Sequence, residues 1–73
     1  MLLYDEIGQI NHPDIDLFRS RFELYCRRTE VLPDRKWREF FKKMEDSDEM
    51  QVMSDETIAF AVIDSFLTPP PRG

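Results

Sequence analysis

Cysteine, histidine and glycine are scarce in this chain of 73 residues, and each scarcity excludes a kind of site. Cys26 is the only cysteine, so an internal disulfide is impossible, and we expect a small buried residue there. With one histidine, His12, the chain lacks the usual ligands of a structural zinc site. Gly8 and Gly73 are the only glycines, which leaves no glycine-rich phosphate loop. We therefore predict no metal and no cofactor.

Long apolar runs are also missing. The longest, residues 58–63, is far shorter than the roughly 20 residues that a membrane-spanning helix needs. The apolar start of the chain is ended at once by Asp5 and Glu6, and no basic residues precede it. We expect neither a signal peptide nor contact with a membrane. A lone cysteine is typical of a reducing compartment, so the predicted location is cytoplasmic.

Charge of the two signs is separated along the chain. The stretch from Arg19 to Lys43 holds nine of the ten Lys and Arg residues against four acids, a net charge of +5. The remainder holds eleven acids and one base, a net charge of −10. Such a chain presents a positive and a negative surface to its surroundings, which governs association more than fold.

Apolar spacing predicts an all-α fold, a small three-helix bundle in a single domain that spans residues 1–73. Ile15, Phe18 and Phe22 recur at i, i+3 and i+7, and Leu17 and Leu24 are expected to widen that stripe. End signals, such as a Ser54 N-cap before the third helix, agree with the periodicity. The predicted helices run over about 12–28, 34–45 and 55–67.

The two ends of the chain are less regular. Residues 1–10 fit either a short helix or a strand, so that element stays ambiguous. The proline-rich segment 69–73 is predicted to be an extended tail. The predicted core comprises Ile15, Phe18, Phe22, Tyr25, Trp37, Phe40, Phe41, Met44, Ile58, Val62, Ile63 and Phe66.

Enzymatic chemistry is poorly supported by these residues. Nucleophilic catalysis needs a nucleophile beside a base, and His12, next to Pro13, is expected to be exposed at a helix start. A calcium loop that began at Asp46 would need glycine at position six and glutamate at twelve. Those positions hold Gln51 and Thr57. We therefore predict a non-enzymatic protein without catalytic residues.

Protein binding is the function that the composition favours. A domain this short buries only about 60% of the surface of its unfolded chain. The chain nevertheless holds nine aromatic residues and four methionines, more than a minimal core requires. We predict an adaptor or inhibitor that binds a larger protein and is itself a homodimer. The predicted partner-binding residues are Arg21, Arg28, Arg35, Lys36, Lys42, Met50 and Val52.

Two alternatives stay open. The first is a nucleic-acid-binding regulator of helix-turn-helix type that uses the basic region 19–43. The negative net charge speaks against it, as do acids at pairing distance from the bases, such as Asp34 before Arg38. The second is an acidic mimic of nucleic acid built on residues 46–56. No family motif is present, although the size and composition resemble small phage- or plasmid-encoded accessory proteins.

Overall fold

The computed structural model describes residues 1–68 of the chain, and that part is helical and contains no strand. A short 3-10 helix, Tyr4–Gln9, comes first. Three α-helices follow: α1 (Ile15–Thr29), α2 (Pro33–Glu45) and α3 (Asp55–Leu67). The prediction of an all-α fold with three main helices is confirmed. The predicted tail 69–73 lies outside the described residues.

The ambiguous first ten residues contain the 3-10 helix. Tyr4, Ile7 and Ile10 recur every third residue, and a 3-10 helix has three residues per turn, so they share one side. Tyr4 and Ile7 are buried, and Ile10 packs against the core. The indole N–H of Trp37 donates to the carbonyl oxygen of Leu2, with an N···O distance of 2.7 Å. The N-terminal segment is therefore part of the core.

Helix α1 begins at Ile15, later than the predicted start near residue 12. Asp14 is the N-cap, and its backbone N–H donates to Nδ1 of His12 at 3.0 Å. Nε2 of His12 lies 2.9 Å from Oδ1 of Asp64, near the end of α3. The expectation that His12 is exposed is wrong, because the side chain is buried and joins the start of α1 to α3.

The turn between α1 and α2 depends on Glu30. This residue has a φ of 57°, the left-handed conformation that commonly ends helices. Its N–H donates to the carbonyl oxygen of Arg27, and the N–H of Val31 donates to that of Cys26. The chain then enters α2 at Pro33, whose missing N–H would have no partner in the first turn.

The core is built around aromatic rings, and every ring except that of Phe60 belongs to one connected cluster. Phe22 is central: its ring centroid lies within 6.5 Å of those of Tyr4, Phe18, Trp37, Phe40 and Phe66. The predicted core residues that are fully buried are Phe18, Phe22, Trp37, Phe41, Ile58, Val62 and Ile63. Those that are half-buried against them are Ile15, Phe40, Met44 and Phe66.

The core differs from the prediction at a few positions. Tyr25 is 38% exposed, so its assignment to the core is wrong. Cys26 and Ala59 are buried, as are Tyr4 and Ile7 of the N-terminal segment. Cys26 is thus the small buried residue that we expected.

Helix α3 has the predicted N-cap. The Ser54 hydroxyl accepts the backbone N–H of Thr57 at 3.3 Å. Ile58, Val62 and Ile63 from this helix are buried against the rest of the core. The apolar character of α3 on most of its sides agrees with this burial.

Candidate functional site

The exposed side of α1 carries two leucines and two arginines at regular helical spacing. Leu17, Arg21, Leu24 and Arg28 follow one another at i, i+4, i+7 and i+11, so they lie in one line along the helix. Leu17 is 45% exposed and Leu24 is 49% exposed. Both arginines are exposed as well. We call these four residues the α1 outer face.

The assignment of Leu17 and Leu24 to the core stripe is wrong. A helix turns by about 100° per residue, so Leu17 lies about 100° from Phe18, and Leu24 about 200° from Phe22. The buried phenylalanines therefore place both leucines on the solvent side. The sequence contains one signal of this exposure: the charged residue Arg21 comes four residues after Leu17 and therefore lies on the same side of the helix.

Tyr25 and Lys36 lie at the edge of this face. The ammonium nitrogen of Lys36 is 5.8 Å from the ring centroid of Tyr25 and 5.7 Å from that of Phe40. The same nitrogen is 3.2 Å from Oε2 of Glu39. A cation within about 6 Å of a ring centroid is attracted to the face of the ring. Lys36, a predicted contact residue, is thus already engaged by side chains of this chain.

Helix α2 presents a second line of cations. Arg35, Arg38 and Lys42 are exposed and stand at i, i+3 and i+7. In residues 1–68 the only Lys or Arg side chain within 4.0 Å of a carboxylate is Lys36, paired with Glu39. The expected pairing of Asp34 with Arg38 is therefore wrong. The bases of the middle region are less neutralised than the sequence indicated.

The two predicted linker contacts differ in exposure. Met50 is half-buried and packs against the core, whereas Val52 is 88% exposed. The backbone N–H groups of Ser47, Met50 and Met53 each donate to a carbonyl oxygen three residues earlier, at 3.0, 3.0 and 3.1 Å. The segment 46–53 is therefore a series of hydrogen-bonded turns that directs Val52 into solvent.

The pair of His12 and Asp64 has the composition of a catalytic dyad. Nδ1 of His12 accepts the N–H of Asp14, so the imidazole proton is assigned to Nε2, which donates to Asp64. Both ring nitrogens are used within the fold. Because neither is left to take a proton from a bound molecule, the geometry indicates a structural link between α1 and α3.

The described residues contain no metal-binding cluster, and the cleft that they line beside the 3-10 helix is small. Within 1–68, no group of three or more His, Cys, Asp or Glu side chains is placed to hold a metal ion. A cleft of about 180 Å³ is smaller than the ligand pockets of roughly 300–1,000 Å³ that proteins commonly use. Its lining residues are Leu2, Glu6, Gln9, Ile10 and Glu56. None of the described helices has the length and apolar character that crossing a membrane requires.

Two titratable groups are buried in the core. Burial raises the pKa of Tyr4 to about 12; the neighbouring Glu23 carboxylate adds to that rise, whereas Arg19 opposes it. The Tyr4 hydroxyl is fully buried and has no hydrogen-bond partner in the described chain. Burial also raises the pKa of the Cys26 thiol, which keeps it protonated and less reactive.

Comparisons with known proteins found no match for this chain. The chain matches no protein-family model, no curated protein sequence and no solved structure. The residues themselves are therefore the basis for a functional proposal.

Proposed function

We infer that this protein is a non-enzymatic interaction module that binds another protein through the α1 outer face. The observation that carries the proposal is the line of Leu17, Arg21, Leu24 and Arg28 on the exposed side of α1. Arginine is enriched at interfaces, where its aliphatic stem packs and its guanidinium pairs with carboxylates. The best-fitting partner surface has apolar side chains flanked by acidic ones.

The exposed apolar side chains that motivate this proposal are aliphatic and not aromatic. The sequence suggested that the chain has more aromatic rings than its core needs, but Tyr25 is the only exposed one. The large aliphatic side chains that stay exposed include Leu17, Leu24, Leu32 and Val52. Leu17 and Leu24 stand out among them because they are held two turns apart on the same side of a regular helix.

The proposal covers both an adaptor and an inhibitor, because a surface that binds a larger protein either tethers it or blocks it. We place this activity in the cytoplasm, since the single cysteine is buried and unpaired. Small accessory proteins of phages and plasmids are the kind of protein with which such a role agrees.

The experiment that tests the proposal is affinity capture from the native host with the α1 outer face altered. The chain with Leu17→Ser and Leu24→Ser should lose proteins that the parent chain captures. Leu3→Ser is a matched control, because Leu3 is similarly exposed, at 45%, but belongs to the N-terminal segment. Identical capture by the folded double variant would contradict a binding role for this face.

Nucleic-acid binding is a second candidate, supported by the exposed and unneutralised line of Arg35, Arg38 and Lys42. Phosphate contacts produce a steep loss of affinity with salt. A mobility-shift assay at two salt concentrations tests this, with Arg35→Glu and Arg38→Glu as the disrupting pair. The hypothesis of an acidic mimic stays a weaker prediction. The same assay tests it when the parent protein is added as a competitor of nucleic acid for a nucleic-acid-binding protein.

A further inference from the structure

A second exposed surface has the opposite charge to the α1 outer face. It lies on the turns between α2 and α3, where Asp46, Asp48 and Glu49 are exposed together with Val52 and Met53. Val52 is 88% exposed and Met53 is 46% exposed. We call these five residues the acidic turn surface. It combines apolar and negative groups, as the α1 outer face combines apolar and positive groups.

The exposure of Val52 follows from how the turns are held. Met44 and Met50 are half-buried against the core, and backbone hydrogen bonds join residues 44, 47, 50 and 53 in steps of three. These contacts anchor one side of the segment and leave Val52 on the other.

The charges of the two surfaces are not used within one molecule. In residues 1–68, no ion pair within 4.0 Å joins a carboxylate of the acidic turn surface to a base, or an arginine of the α1 outer face to an acid. Both surfaces therefore retain their charge for a partner.

We propose that the α1 outer face binds the acidic turn surface of a second copy of this chain. The proposal rests on the proposed function and names the partner of the same face. Val52 and Met53 pack against Leu17 and Leu24, and the carboxylates pair with Arg21 and Arg28.

Only the unlike pairing is electrostatically favourable. Two α1 outer faces would bring four guanidinium groups together, and two acidic turn surfaces would bring six carboxylates together. Like charges across an interface are strongly unfavourable, whereas complementary charges speed association and set the register. Complementary charge therefore favours the acidic turn surface of the second copy as the binding partner of the α1 outer face.

The contact joins two different surfaces, so its geometry sets the size of the assembly. Two reciprocal contacts close a twofold dimer, in agreement with the homodimer that the sequence predicts. Contacts that do not close continue from one copy to the next as an open chain. In either case the association depends on concentration and weakens with salt, because the charged groups are exposed.

Charge reversal on each surface, followed by mixing, tests the proposal by sedimentation equilibrium at low salt. One variant carries Arg21→Glu and Arg28→Glu, and the other carries Asp48→Lys and Glu49→Lys. Each alone has two surfaces of the same sign and should sediment as a monomer where the parent self-associates. An equimolar mixture pairs surfaces of opposite sign and should recover a complex.

A control variant separates this contact from the effect of net charge. Arg38→Glu with Lys43→Glu changes the net charge as much as the α1 variant does, but at exposed positions of α2 outside both surfaces, and it should associate like the parent. Circular dichroism and thermal melts check that every variant is folded.

Three results would overturn the proposal: a parent chain that stays monomeric up to millimolar concentration at low salt, reversed variants that associate alone, or a mixture that fails to associate. A monomeric parent that still captures a protein through Leu17 and Leu24 would remove the second copy as partner and leave the proposed function standing. A parent chain that neither self-associates nor captures a protein through Leu17 and Leu24 would remove the proposed function too.

Discussion

Phe22 is the residue on which the packing of the aromatic core depends most. Its ring lies close to rings from the N-terminal segment, α1, α2 and α3, among them Tyr4, Phe18, Trp37 and Phe66. Phe41 is just as deeply buried, but it pairs only with Trp37. The two residues therefore separate the effect of burial from the effect of ring pairing.

We predict that Phe22→Leu destabilises the protein more than Phe41→Leu does. Phe22 makes five ring pairs and Phe41 makes one. Each ring pair contributes about 0.5–1.5 kcal/mol beyond area burial, so the four extra pairs should make the two losses differ by roughly 2–6 kcal/mol. The free energies of urea unfolding of the two variants measure this. The substitutions remove the same atoms from equally buried sites, so equal losses would show that ring pairing adds nothing here.

Tyr4 makes the free energy of unfolding depend on pH in the alkaline range. Its folded pKa of about 12 lies above its ordinary value of 10.0. The folded state therefore holds the phenol proton to a higher pH than the unfolded chain does. The stabilising effect is complete below pH 10 and is lost as the pH rises from about 10 to about 12, at up to roughly 1.4 kcal/mol per pH unit.

We predict that Tyr4→Phe flattens this dependence and costs little stability at pH 7, because the buried hydroxyl has no partner to lose. Denaturant titrations of the parent and the variant at pH 7, 10 and 12 measure the difference. Other groups that titrate in this range cancel in the comparison. A difference that stays constant across the series would show that the Tyr4 hydroxyl is not the source.

At the scale of the elements, the N-terminal 3-10 helix depends on tertiary contacts. 3-10 helices longer than about 3–4 residues are uncommon, yet this one spans Tyr4–Gln9. It is held by Tyr4 and Ile7 in the core and by the hydrogen bond from Trp37 to Leu2. Helix α3, in contrast, has its own N-cap in Ser54.

Trp37→Phe should therefore loosen the 3-10 helix selectively. The variant leaves the Leu2 carbonyl without its donor, at a cost of about 1–3 kcal/mol, and hydrogen exchange of residues 4–10 should accelerate most. Ser54→Ala is the matched comparison: it costs about 1 kcal/mol and should accelerate exchange at the start of α3. Unchanged protection of residues 4–10 in Trp37→Phe would contradict the dependence on this bond.

At the scale of the whole molecule, the separation of charge predicts how the protein behaves with concentration. Its Cα radius of gyration is 12.0 Å. In dilute solution at high salt, small-angle scattering should approach the size of the single chain. At low salt the apparent radius should rise with concentration, because the basic and acidic surfaces of different copies attract. A radius independent of both salt and concentration would argue against attraction between copies.

Much of the fold was predictable because helix formation leaves local signals. The period of apolar residues and the cap at Ser54 placed α2 and α3 nearly where the structure has them. The start of α1 was misplaced, because His12 is held by Asp64 on α3, a partner 52 residues away that no local pattern indicates. The exposure of Leu17 and Leu24 was also missed, because a helix with apolar residues on both sides has two possible buried faces.

The sequence by itself determined the helical class and the separation of basic from acidic residues, because periodicity, end signals and charge order are properties of neighbouring residues. The tertiary structure alone decided which side of α1 is buried, that the N-terminal segment joins the core, and that Val52 points into solvent. The physical reason is that these choices depend on which distant rings and hydrogen-bonding groups meet once the three helices pack together.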